Sequence, residues 1–332
     1  IMPAGAAVDE AHKLLAEGFR AAKIRVGRPD AREDLAVVRA VRKAAGDELL
    51  PFEIERKLAQ RFTLLGLAGL QRLAQSGIDM AAWDALAQAH RLPLVVLLGG
   101  AVKPIPTYNS KGLWIQPVET LADEADALLA EGFTAVKLRL GREDFAQDLA
   151  AVRAVKTRVG DRVTVMCDFN QRLTVNEAIR RARALDGEGL YWIEEPVRHD
   201  DYEGYARIAA EAATPIQTGE NLVDTFEMAR AIALRSLDFV MPDVQRIGGV
   251  TGWLRAAALA HAHGIEMSSH LFPEFSLHLL GVTPTCHWLE FMDWAAPLLR
   301  EPVRVKDGVA RIPDRPGAGL EWDEAAVARY SA

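Results

Sequence analysis

VTVMCD (residues 163–168), LYWIE (190–194) and TPIQTGE (214–220) are three apolar runs, each closed by a carboxylate: Asp168, Glu194 and Glu220. The intervals are equal (194−168 and 220−194 are both 26), which is room for one strand, one helix and their loops. A repeat of that length describes consecutive βα units with parallel strands lying side by side. In a closed barrel of such strands, residues at the C-terminal strand ends converge on one face, and that face carries the chemistry. Three converging carboxylates ask for a cation. Oxygen-only ligation suits a hard ion that keeps positions for water or substrate, so Mg2+ is the expected metal.

Working outward, the same alternation holds from Pro104 onward. Further strands are expected at PIPTYN (104–109), AVKLRL (135–140), DFVMPD (238–243), IEMSSH (265–270) and HWLEF (287–291), which makes eight in all. Between them lie helical stretches such as VNEAIRRARAL, DTFEMARAIAL and TGWLRAAALAHAH, the last followed by Gly264 as a helix stop. The fold class expected is therefore α/β, a (β/α)8 TIM barrel over residues 104–300. Residues 51–103 read as helical packing, with LGLAGLQRLAQSGIDMAAWDALAQA spacing its apolar positions as a helix does. Residues 301–332 contain VRVKDGVARIP, a small hairpin expected to return to a capping region.

The first fifty residues repeat a later part of the chain. Residues 8–47 align without a gap to residues 122–161, at a constant offset of 114 (137−23). The copy ends before it supplies a carboxylate, because Ile54 stands at the place of Asp168. Residues 1–50 are read as a partial βα unit in place of a capping sheet, with Lys23 and Arg25 an idle copy of Lys137 and Arg139.

The 332 residues are 50% hydrophobic and 26% charged, ordinary globular material, with a formal net charge of −7. That charge, with no basic run, argues against nucleic acid as a partner. The apolar stretches are too short for a bilayer, and Cys167 and Cys286 suit reduced thiols, so no membrane partner and a cytoplasmic location are expected.

The remaining strand ends supply Asp243, His270 and Glu290, and Arg246 follows in the loop after the sixth strand. Lys137 and Arg139 are two apart on one strand, so both side chains point into the barrel. Lys and His flanking a carboxylate that a metal holds make proton abstraction beside that carboxylate feasible, the metal stabilising the enediolate. His270 needs an orienting acceptor, which Asp243 can supply from the neighbouring strand end. Glu195 follows Glu194 directly; alternation sends it to the opposite side, where it is read as a structural ion-pair partner. His12, His90, His199, His261 and His263 are read as solvated or packing residues, and His278 and His287 as structural.

From Pro51 to Ala332 the chain resembles mandelate racemase and its close relatives in the enolase superfamily. AVKLRLG, CDFNQ, WIEEP, TGEN, MPDVQRIGGVTGW, SSHLF, TPTCHWLE and GIDMAAWDALAQ carry the resemblance in order and spacing. It implies Mg2+ on Asp168, Glu194 and Glu220, with Asn170 near a substrate hydroxyl. It also implies His270 as general base or acid oriented by Asp243, Glu290 as a donor to the substrate carboxylate, and Lys137 as a cation beside it. A homo-oligomer is implied as well.

Two departures stand out. The racemase motif on the second strand is Lys-x-Lys, and Arg139 stands at its second lysine; a guanidinium stays protonated and is a poor base but a good clamp. The expected substrate is a 2-hydroxy carboxylate, and acid-sugar dehydration by His270 is favoured over racemisation, which needs a base on each face. The second departure is the partly missing α+β cap, whose absence would expose the site. That departure and Arg139 together motivate the opposing reading, a catalytically inert barrel or assembly subunit.

Overall fold

The computed structural model describes residues 4–16 and 50–330. The chain divides into two units, Ile1–Gly66 and Leu67–Ala332. In the first, helix α1 (Ala4–Ala16) occupies the residues that the offset of 114 maps onto helix Val118–Ala130 of the second unit, so both copies of that sequence fold alike. The copies part at helix α2 (Pro51–Arg61), where the second copy has a strand. Pro51 fits the first turn of a helix, which needs no amide donor there. The segments KIRV and AVVRAVRKAA, with Lys23 and Arg25, lie outside the described residues.

The second unit opens with helices α3 (Gly69–Ala89) and α4 (Leu94–Leu97). Then come β1 (Pro104–Asn109), α5 (Val118–Ala130), β2 (Ala135–Arg139), α6 (Phe145–Val159), β3 (Thr164–Asp168), α7 (Val175–Leu185) and β4 (Ile193–Glu194). After these come α8 (Tyr202–Glu211), β5 (Ile216–Thr218), α9 (Thr225–Ala233), β6 (Phe239–Val240), α10 (Gly249–His263), α11 (Pro273–Val282) and β7 (Leu289–Phe291). Strands β1 to β6 pair in parallel in chain order, and β7 returns to pair in parallel with β1, placing Tyr108 opposite Glu290.

The seventh expected strand, residues 265–270, makes no regular ladder. It enters the ring through single parallel bridges, Met267 with Val240 and Cys286, and His270 with Asp243. β4 and β6 are also shorter than their apolar runs, being followed by Pro196 and by Pro242, which lack the amide donors a ladder needs. With that segment the ring has its eight members, and the fold is an α/β TIM barrel.

Alternation along the strands sorts the side chains. Val136, Leu138, Val165, Cys167, Ile193 and Ile216 join the core beneath the helices. Tyr108, Ala135, Met166 and Trp192 form a smaller buried cluster. Side chains two residues further along from this second set are Lys137 and Arg139, Asp168 and Glu194, and so they face the same interior. Truncating a fully buried Trp such as Trp192 typically costs about 3–5 kcal/mol, which measures how firmly this floor holds the charged layer above it.

The hairpin β8 (Val305–Lys306) and β9 (Val309–Arg311) forms where expected, and β9 lies antiparallel to β1. Gly317 and Ala318 then reach back to Leu94 and Asp84. Helix α12 (Glu324–Tyr330) follows. His278, fully buried on α11, ties these pieces together. Its Nδ1 accepts from the Val95 amide at 3.2 Å and its Nε2 meets the Ala318 carbonyl at 3.2 Å. An accepting Nδ1 must be unprotonated, and burial lowers this imidazole from 6.5 to about 4. The depressed value means stability is fully present above pH 6.5 and is lost as pH falls toward 4, by up to about 3 kcal/mol. Thermal melts between pH 7 and pH 4 should show this slope, and a His278→Gln variant should flatten it.

Candidate active site

Mouth loops set the site, and several adopt left-handed backbone at non-glycine residues: Asn170 (φ 45°), Gln171 (63°), Glu195 (39°), Leu271 (49°) and Phe272 (46°). Such conformations cost energy and cluster where a fold is shaped for function. Asn170 turns its backbone amide onto Asp168 Oδ1 at 2.7 Å and its side-chain amide onto Oδ2 at 3.2 Å.

Lys137 is the hub of one half. Its Nζ lies 3.2 Å from Asp168 and 2.8 Å from Glu290, and it also pairs with Glu194. Burial pushes its pKa down, but the three carboxylates outweigh that and hold the ammonium charged. Glu194 also accepts from Trp192 Nε1 (3.0 Å) and Gln217 Nε2 (3.2 Å), and burial with two neighbouring acids drives its pKa well up. Glu290 accepts from Ser110 Oγ at 2.7 Å and the Leu271 amide at 3.0 Å. Burial raises it, but Lys137, His270 and Arg139 bring it below the usual carboxylate range, so as placed it accepts hydrogen bonds, and donating to a substrate would need a proton.

Arg139 is 5% exposed, stacks on the Trp114 ring at 4.7 Å and donates from Nη2 to Ser110 Oγ at 2.9 Å. Its Nε lies 3.5 Å from Asp168, and neither Nε nor Nη1 makes a hydrogen bond among the described residues. A buried guanidinium with donors to spare is built to clamp an oxygen.

The other half centres on His270. Nδ1 lies 2.7 Å from Asp243 Oδ2, which leaves Nε2 as the exchanging atom, 3.3 Å from Glu220. Burial lowers this imidazole, but Glu220, Glu290 and Asp243 outweigh it and raise it to about 9. Arg246 Nη1 holds the other Glu220 oxygen at 3.3 Å and Asn221 Oδ1 at 2.7 Å.

Glu195 corrects the alternation argument. Its positive φ breaks the strand period immediately after β4, so the carboxylate turns to Gln171 Nε2 (2.7 Å) and Asn221 Nδ2 (3.1 Å). These are amide partners where a cation was expected. Burial and the charge of Glu220 raise it to about 8. Sequence reasoning also passed over Ser110 and Trp114; the strand-end rule applied to β1 points to Ser110, whereas nothing local marks Trp114.

Residues 6–58 and 120–326 match the enolase C-terminal domain-like (MR_MLE_C) family, so the internal repeat is recognised twice, at the same offset of 114 (120−6). The chain belongs to the enolase superfamily. It is 35% identical over 291 residues to an L-talarate/galactarate dehydratase of Salmonella typhimurium, covering 86% of this chain and 73% of that protein. Among solved structures, an enolase from the alpha proteobacterium bal199 with bound magnesium is 46% identical, with a TM-score of 0.84 over 90% of this chain and 82% of the other. A Bradyrhizobium enolase complexed with magnesium and mandelic acid is 42% identical, TM-score 0.82, covering 90% and 81%. These similarities place the chain in the mandelate racemase subgroup of the superfamily.

In this superfamily barrel the donor chemistry fits a hard divalent cation. Asp168, Glu194, Glu195, Glu220, Asp243 and Glu290 outnumber Lys137, Arg139, Arg246 and His270, and the raised Glu194 and Glu195 show a cluster short of positive charge. As placed, Asp168 and Glu194 turn onto Lys137, and among the described residues no three acidic, His or Cys side chains form a ready-made cage. A cation would compete with Lys137 for these two carboxylates.

Proposed function

We propose that this chain abstracts the α-proton of a 2-hydroxy carboxylate and dehydrates an acid sugar, with Asp168, Glu194 and Glu220 holding Mg2+. Bound there, the ion would supply positive charge beside the substrate carboxylate as a second negative charge develops on it. The observation that carries the reading is the His270–Asp243 pair, which leaves one imidazole nitrogen facing Glu220. His270 Nε2 takes the α-proton or gives a proton to the departing β-hydroxyl. The Cα–H and Cβ–O bonds break, water leaves, and the enol formed becomes a 2-keto acid. Lys137 and Arg139 hold the substrate carboxylate and a neighbouring hydroxyl, while Asn170 lies beside Asp168 to meet another.

Racemisation is the second reading, supported by the relative that binds mandelic acid. It needs a base on the face opposite His270. Arg139 supplies none near neutral pH, and Lys137 is wrapped by three carboxylates. A panel of acid sugars and single-enantiomer mandelate, incubated with magnesium chloride, separates the two readings. We expect 2-keto acid from an acid sugar and mandelate that keeps its configuration. Rapid loss of optical activity in mandelate would overturn the dehydratase preference, and silence across the whole panel would favour an inert barrel.

No helix among the described residues is long and apolar enough to cross a membrane. The free thiols of Cys167 and Cys286 support a cytoplasmic setting, and family likeness supports a homo-oligomer.

A further inference from the structure

Beside the reacting centre lies a cavity of about 230 Å³ that the chemistry above does not use, lined by Arg72, His199, Asn221 and Arg246 with the apolar Leu73 and Val223. It is continuous with the site through one carboxylate. Arg246 Nη1 holds Glu220 Oε1 at 3.3 Å, and Glu220 Oε2 is 3.3 Å from His270 Nε2. The bonds that Arg246 makes to Glu220 and Asn221 all run through Nη1.

Arg72 comes from α3, which is fixed to the barrel by buried bonds. Asp79 accepts from the Thr251 amide (2.9 Å) and hydroxyl (2.6 Å), and Trp83 Nε1 donates to the same hydroxyl. On this rigid support Arg72 bonds Gln75 at 2.7 Å and lies 3.9 Å from Asp224. Two guanidiniums from different elements thus meet over one cavity, each with one acid near it. Partial compensation of this kind suits a singly charged, planar anion, which a guanidinium fork matches in shape. His199, whose backbone and ring both meet Gln171 Oε1, adds an imidazole at the rim.

We propose that this cavity binds a second carboxylate at the far end of the substrate, so that the preferred acid sugar is a dicarboxylic one. The proposal rests on the dehydratase reading. An acid sugar with its reacting end between Lys137 and His270 would run past Glu220, and its far end would meet Arg246 and Arg72. A terminal carboxylate gains charge-assisted hydrogen bonds there, whereas a terminal hydroxyl leaves the two guanidiniums without an anion.

The test is calorimetric binding to the full chain carrying His270→Asn, in magnesium chloride, with galactarate, gluconate and 6-phosphogluconate. Galactarate should bind at least about tenfold tighter than gluconate, the worth of one charge-assisted contact. Adding Arg72→Leu should collapse that ratio toward one, and Arg72→Lys, which keeps the charge, should restore most of it. Equal binding of galactarate and gluconate would overturn the subsite and leave the dehydratase reading standing. So would a ratio untouched by Arg72→Leu. Tighter binding of 6-phosphogluconate than of galactarate would assign the cavity to a phosphate and overturn it too. If none of the acids binds, both readings fall.

Discussion

Replacing His270 with Asn should lower 2-keto acid formation by about 10²- to 10⁴-fold, the usual worth of a positioned proton-transfer group. Asn keeps much of the size and can still donate to Asp243, whose oxygen lies 2.7 Å from the ring nitrogen, but it takes no proton at the position of Nε2. Substrate affinity should change far less than turnover, because the carboxylate clamp belongs to Lys137 and Arg139 on β2. Steady-state kinetics on the best acid sugar checks this. A variant that keeps more than about a tenth of the rate would move the proton transfer to another group, and Lys137 would be the first to examine.

Much of this site was legible in the sequence because barrel geometry converts spacing into place. Equal intervals put Asp168, Glu194 and Glu220 at consecutive strand ends, and period-two alternation put Lys137 and Arg139 on one interior face. The pairing of His270 with Asp243 followed from adjacency of two strand ends, and those residues do bridge in the structure. The failures share a physical cause. Period two applies only while the backbone stays extended, and Glu195, at φ 39°, has already left the strand. The same irregularity reduces residues 265–270 to bridges in place of a ladder. Trp114 and Arg72 escaped notice because each sits off the strand ends, one in a loop beneath Arg139 and the other on a helix more than thirty residues upstream of β1 (104−72). Tertiary packing alone brings them to the mouth. His199 was read as a solvated or packing residue, yet it lines the cavity.

The largest expected effect on binding concerns the carboxylates themselves. Glu194→Gln removes one charge from a buried cluster that already has too many acids, and it leaves an oxygen to accept from Trp192 Nε1. The fold should therefore survive, with a melting temperature near that of the unmodified protein. Affinity for a divalent ion should fall by more than about 100-fold, beyond the loss typical of groups that merely orient a ligand. Titration with Mn2+ followed by calorimetry reads the change. Asp168→Asn should behave alike, since Asp168 shares Lys137 with Glu194. Glu195→Gln, by contrast, should spare metal affinity, because its carboxylate is already engaged by Gln171 and Asn221.

Crystals of the full chain soaked in Mn2+ and measured at the manganese edge locate the ion without reference to activity. One anomalous peak between the carboxylates of Asp168, Glu194 and Glu220, with Lys137 withdrawn from the first two, is the expected result. A peak on His270, or none beside these three carboxylates at saturating Mn2+, would contradict the assignment of this barrel mouth to a divalent cation.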